Sequence, residues 1–206
     1  METTFPLLFA AFVGFGHAFE ADHLVAVGNI VTKRKNLAAA AKDGIYWGLG
    51  HTSTICLIGL IIIVGKATFL DDYFGYFEAI VGLMLILLGV YRLYQYYNKR
   101  QKVKHLGEHK HQHKLAYGVG LIHGLAGSGA MVLLVMTELQ STWKSMLYLA
   151  TFGIGSALGM LVAAGIFSLP FSKKLAQRQG LQFSLILLSS LLCIGYGVYV
   201  MIENLS

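Results

Sequence analysis

Six apolar runs, each long enough to cross a bilayer, follow one another along the chain with only short connections between them. They fall near Leu7–Val31, Gly44–Val64, Tyr73–Tyr96, Leu115–Leu139, Ser145–Leu169 and Leu181–Ile202. One crossing takes about 20 residues of helix, and a segment in lipid has to bond its own backbone groups, which favours helices for runs like these. Six crossings would occupy about 120 residues of the 206 in the chain and leave no room for a separate soluble domain. Composition agrees, with 13% of residues charged, 56% hydrophobic and a mean hydropathy of +0.63, against about a quarter charged in soluble domains. The expected fold class is an all-α integral membrane protein, multi-pass, with its function inside the bilayer.

The connections sort by charge. The first carries Lys33, Arg34, Lys35 and Lys42, and the fifth carries Lys173, Lys174 and Arg178. The third carries Lys99, Arg100, Lys102, Lys104, Lys110 and Lys114, with Arg92 within snorkelling reach. Of the 16 basic residues, only Lys66 and Lys144 fall on the opposite side. The positive-inside rule makes the basic side cytoplasmic, which puts both termini outside and suggests the plasma (inner) membrane. The net charge of +6 then belongs to these loops, and no nucleic-acid partner is expected. Cys56 and Cys193 lie apart in apolar runs with no CxxC, so they read as small buried hydrophobes. The first run has no basic leader and carries acids and histidines, so it reads as a span and not as a cleavable signal.

The two halves resemble each other. Gly14-Phe-Gly-His17 aligns with Gly120-Leu-Ile-His123, and Gly89 with Gly195, at an offset of 106 residues. Gly48-Leu-Gly-His51 aligns with Gly153-Ile-Gly-Ser156 at 105. Three spans per half is an odd number, so the second half would insert upside down. The expected organisation is six transmembrane helices as two inverted three-helix repeats, 1–97 and 115–206, joined by a cytoplasmic loop at 98–114. Such repeats place a site near the midplane, between the halves.

The first span carries side chains that lipid disfavours: Gly14-Phe-Gly-His17-Ala-Phe-Glu20-Ala-Asp22-His23. An ionised group near the midplane costs about 2.5–3.5 kcal/mol on insertion scales, and one Asn or Ser would tie helices together more cheaply. On a straight helix His17, Glu20 and His23 share a face about 120° wide, with Asp22 on its flank. His17 and His23 would then stand about 9 Å apart along the axis, too far for both to chelate one small ion. Either the helix unwinds, which Gly14 and Gly16 would permit, or other spans supply ligands. His51 in the second run and His123 in the fourth are available. Imidazole and carboxylate donors suit nickel, cobalt, zinc or manganese, and the absence of thiolates argues against copper(I). The candidate ligands are His17, Asp22, His23, His51 and His123, with Glu20 in the same cluster as a secondary candidate.

On these residues the chain resembles a known family. His-x4-Asp-His, here His17, Asp22 and His23, is the signature of the nickel/cobalt transporter family of permeases. Leu49-Gly-His51-Thr52-Ser is similar to its second motif, and Gly120-Leu-Ile-His123-Gly-Leu-Ala-Gly-Ser128-Gly to its short, urease-associated members. The resemblance implies selective transport of Ni2+ or Co2+ and no enzymatic activity, with His17, Asp22 and His23 essential for recognition. Thr52 and Ser128 join Glu20 as secondary candidates. Longer members have eight spans, and six are expected here. The expected function is high-affinity uptake of Ni2+, Co2+ or both; the alternatives are efflux through the same site, or a His/Asp-based proton or anion transporter. The expected partners are the metal substrate and the lipid bilayer, with a homo-oligomer and cytosolic metal acceptors as further candidates. No cofactor is expected beyond the transported ion.

The 98–114 loop contains His105, His109, His111 and His113, read either as a solvated basic loop or as a metal buffer. A histidine-bearing loop there also resembles nickel exporters. Glu78 and Glu138 lie near outer span ends and read as solvated, with cation attraction as the alternative. Enzyme classes fit poorly. His17-x4-Asp22 matches an acyltransferase motif that needs a surface domain, and a rhomboid-type serine at Ser128 would need a histidine in the last span, which has none. No ATP-binding motif is present, so the membrane potential is the expected drive. At −100 mV a divalent cation moving inward gains about 4.6 kcal/mol, enough for roughly 2,000-fold accumulation.

Overall fold

The computed structural model describes residues 4–31, 34, 36–65, 73–101, 112–126, 141–169 and 179–206. Among them are seven helices: α1 (Thr4–His17), α2 (Ala21–Val31), α3 (Leu37–Gly65), α4 (Phe74–Gln101), α5 (Gln112–Ala126), α6 (Thr142–Ser168) and α7 (Gln179–Leu205). Four stretches, Leu37–Ile62, Phe74–Asn98, Thr142–Ser168 and Gly180–Leu205, are long and apolar enough to cross a membrane. The protein is an all-helical membrane protein. Its surface and interior reverse the soluble pattern: Leu57, Leu87, Ile154 and Leu188 are each more than half exposed, while Asn29, Arg34, Asp43 and four histidines are buried. Outward leucines cost nothing in lipid, whereas polar groups need partners inside.

The first apolar run is not the continuous helix expected over Leu7–Val31. It breaks after His17, where the Phe19 N–H donates to the Gly16 carbonyl at 2.9 Å and the Glu20 N–H to that of His17 at 3.1 Å. These are the tightened i→i−3 bonds of a closing helix end. A new helix starts at once, with the Leu24 N–H donating to the Glu20 carbonyl at 2.9 Å. Asp22 lies in its first turn and accepts the His23 N–H at 2.8 Å. A carboxylate there satisfies an orphan donor and faces the positive end of the helix dipole.

The 98–114 segment differs too. It is helical at both ends, because α4 continues through Gln101 and α5 begins at Gln112. Arg92 is consequently more than two turns inside α4 and is 5% exposed, not snorkelling into a loop. The α2–α3 connection ends on Asn36, whose Oδ1 accepts the Ala38 N–H at 3.0 Å as a helix N-cap.

Helix α3 packs along both α5 and α6, α1 packs on α6, α4 pairs with α7, and α2 reaches α6 and α7. Small residues set these approaches. A methyl group on Gly14 would stand 2.0 Å from the Phe152 carbonyl oxygen, and one on Gly120 would stand 2.1 Å from that of Trp47. On Gly155 it would meet the Ala11 carbonyl at 2.0 Å, and on Gly50 that of Tyr117 at 2.3 Å. Gly48 faces Ala157, as Gly153 faces Thr52. Each contact has its counterpart 105 or 106 residues along the chain, with the roles of the two halves exchanged.

Candidate metal centre

The break after His17 decides the site. It folds His23 back beside His17, so that their ring centroids lie 4.6 Å apart, where a straight helix would hold them about 9 Å apart along its axis. His51 of α3 lies 5.3 Å from His17 and 5.2 Å from His23. His123 of α5 lies 4.7 Å from His23. All four are at least nine-tenths buried. Two aromatic walls, for which the sequence offered no functional role, enclose them. Trp47 stacks on His23 at 5.5 Å and also borders His123, and Phe152 lies 5.4 Å from His17. Their positions, 105 residues apart at matching points of the two halves, are the signal that could have found them.

Two carboxylates orient the rings. Glu20 pairs with His17 Nδ1 at 2.9 Å, and Asp22 Oδ1 with His23 Nδ1 at 2.9 Å. Asp22 Oδ2 lies 3.6 Å from His123 Nε2. A carboxylate on Nδ1 favours the tautomer that leaves Nε2 as a free lone pair, the usual arrangement behind a metal-ligating histidine. Among the described residues, His17 Nε2, His23 Nε2 and both nitrogens of His51 and His123 are buried without a hydrogen-bond partner. Buried polar atoms are rarely left so, and a cation is the species that would satisfy several lone pairs at once.

Donor spacing fits such a cation. One nitrogen each from His17, His23 and His51 lie within 4.8 Å of one another, and so do one donor each from Asp22, His23 and His123. An ion with bonds of about 2.1 Å bridges donors up to roughly 4.2 Å apart, so either set closes with sub-ångström side-chain shifts. Neither cysteine belongs to these sets, and Cys193 Sγ donates instead to the Leu85 carbonyl at 3.3 Å.

The five candidate ligands therefore come together from α1, α2, α3 and α5. The secondary candidates divide: Glu20 touches the cluster through His17, whereas Thr52 Oγ1 donates to the Gly153 carbonyl at 2.9 Å and serves helix packing. Ser128, His105, His109 and His111 lie outside the described residues, as does Glu138. His113 is not a free loop histidine. It opens α5, its Nδ1 meets Asp43 Oδ1 at 2.6 Å, and Asp43 is in turn bound by Arg34 through Nε and, at 2.6 Å, Nη2.

Comparison with known proteins points the same way. The urease accessory protein UreH of Bacillus sp. (strain TB-90) is 35% identical to this chain over 171 residues, covering 78% of this chain and 75% of UreH. The chain belongs to the nickel/cobalt transporter family. A further relative in this family, the nickel transporter NixA of Staphylococcus aureus (strain NCTC 8325 / PS 47), is 33% identical over 92 residues, which cover 39% of this chain and 26% of NixA. No family model and no solved structure matches the chain. Family membership makes this a transporter-type protein and not an enzyme.

Proposed function

We propose that this protein carries Ni2+, and Co2+ as the related ion, inward across the plasma membrane through the His17, Asp22, His23, His51 and His123 cluster. The observation that carries this reading is the convergence of four buried histidines with unpartnered nitrogens, where His17, His23 and His51 close one donor set and His23 and His123 close a second with Asp22. The ion sheds water as imidazoles replace it, and Asp22 offsets part of its charge where the low dielectric makes that charge expensive. His17, His23 and His51 belong to the first half of the chain and His123 to the second, so a rocking motion of the halves would alter the donor set and release the ion.

The same proposal includes six spans, with the broken first run counted as one, both termini outside, and the halves 1–97 and 115–206 as inverted repeats. What supports the repeat is the exchange of roles in its contacts. Gly14 on Phe152 mirrors Gly120 on Trp47, and Gly155 on Ala11 mirrors Gly50 on Tyr117. The Thr54 hydroxyl donating to the Leu121 carbonyl at 2.9 Å mirrors Gly159 against the carbonyl of Phe15.

The test is uptake of radioactive nickel by cells carrying wild type or Asp22→Asn at equal membrane abundance, with excess cobalt, zinc or manganese as competitor. Uptake that is lost in the variant and blocked mainly by cobalt is expected. Faster loss of nickel from preloaded cells would reverse the direction, and no nickel movement in either sense would overturn the proposal.

A further inference from the structure

One cavity of about 350 Å3 opens beside the histidine cluster, lined by His17, Glu20 and Asp22 from the break, Glu78 from α4, and Tyr196 and Val200 from α7. Glu78 lies in the second turn of α4, and Val200 near the end of α7. Helix α3 carries the chain away from the Arg34–Asp43–His113 network before α4 begins. The cavity therefore lies between the cluster and the end of the bundle opposite that network. No lysine or arginine lines it among the described residues. His17, nine-tenths buried, contributes to its wall, and its Nε2 has no partner.

We propose that this cavity is an antechamber for the hydrated divalent cation, and that Glu78, together with Glu20, holds the ion through its water shell before the histidines strip it. This rests on the transport function proposed above and adds Glu78 to it as a residue that sets capture, not ligation. Six waters take up roughly 180 Å3 at about 30 Å3 each, so the cavity admits an ion with its first shell intact. Three carboxylates around one low-dielectric cleft focus the field on a cation and raise its local concentration. Glu20, 59% exposed, lines the cavity beside His17; its contact with His17 Nδ1 through one oxygen leaves the other for the ion's waters. Glu78 also faces Asn204 of α7, whose Nδ2 donates to the Val200 carbonyl at 2.9 Å, so the test has to separate attraction of cations from the joining of α4 to α7.

Glu78→Gln makes that separation, since the amide keeps an acceptor for Asn204 and loses the charge. The measurement is nickel uptake against nickel concentration for wild type, Glu78→Gln and Glu78→Lys, at low and high ionic strength, normalised to protein in the membrane. Glu78→Gln is expected to raise KM about tenfold at low ionic strength with kcat unchanged, within the range by which charged clefts speed capture. Glu78→Lys should raise it further. Both differences should shrink near 0.1 M salt, where the screening length is about 10 Å. An unchanged KM, a rise equal at both ionic strengths, or a fall in kcat alone overturns the antechamber. Should the variants fail to reach the membrane, the wild type's own KM decides: it must rise with ionic strength, and a flat response overturns the proposal. A wild type that neither binds nor moves nickel overturns the transport function and this inference with it.

Discussion

Replacing Gly120 with alanine adds one methyl group to α5 where α3 comes closest. The new carbon would stand 2.1 Å from the Trp47 carbonyl oxygen and 2.8 Å from Trp47 Cδ1. Real carbon atoms of this kind essentially never sit closer than 3.0 Å, so α5 and α3 have to part by roughly 1 Å. The contact is with backbone, so no side-chain rotation relieves it, and overpacking of this sort costs about 1–3 kcal/mol. The displacement also reaches the site. His123 lies one turn along α5 from Gly120, and Trp47 and His51 lie one turn apart on α3, so the gap widens between His123 and its neighbours. Metal bonds tolerate only about ±0.2 Å, and a shift of about 1 Å should weaken nickel binding at least tenfold. The control is two residues away: a methyl group on Gly118 meets nothing within 4 Å. Gly118→Ala should leave stability unchanged or gain up to about 1 kcal/mol of helix propensity. The assay is thermal unfolding in detergent, together with quenching of Trp47 fluorescence by Ni2+ in a Trp143→Phe background. Equal unfolding temperatures and equal nickel affinities for Gly120→Ala and Gly118→Ala would refute the close approach of α3 and α5.

The remaining predictions concern the two polar centres of the bundle. Asp43→Asn leaves the guanidinium of Arg34, 5% exposed, without its carboxylate partner. Breaking a buried pair costs about 3–5 kcal/mol, so the unfolding temperature should fall by several degrees while nickel affinity at the distant histidines stays as it was; an unaltered unfolding temperature would show that the pair is solvated. Nickel at a hundred times its Kd should stabilise the folded protein by about 2.7 kcal/mol. A chelator should remove that gain and His51→Ala should abolish it, and a gain that survives in His51→Ala would place the ion elsewhere.

Much of this protein is legible in its sequence. The apolar runs implied helices in lipid because transfer energy is a property of each residue and sums along a segment. The five candidate ligands stood out because ionisable groups in such runs are costly and therefore rare. Glu20-Ala-Asp22 also carried the break, since two acids beside a helix start are an N-terminal signal; hydropathy concealed it, because the run stays apolar on either side. His113 was misplaced for a related reason. Its neighbours His105, His109 and His111 suggested one loop, while its ion pair with Asp43 joins positions 70 residues apart, which no local pattern reports.

What the sequence determined by itself is therefore the class of fold and the chemistry of the donors, both written in residue type and short spacing. The tertiary structure decided which donors meet. The turn after His17 replaced an axial separation of about 9 Å with ring centroids 4.6 Å apart. The approach of α3 to α5 through Gly50, Gly120 and Gly124 brought His123 to the cluster, and Glu78 entered its cavity from α4. These are contacts between segments tens of residues apart, set by how closely backbones can pack once side chains are absent, and that closeness is a property of pairs of helices rather than of any stretch of chain.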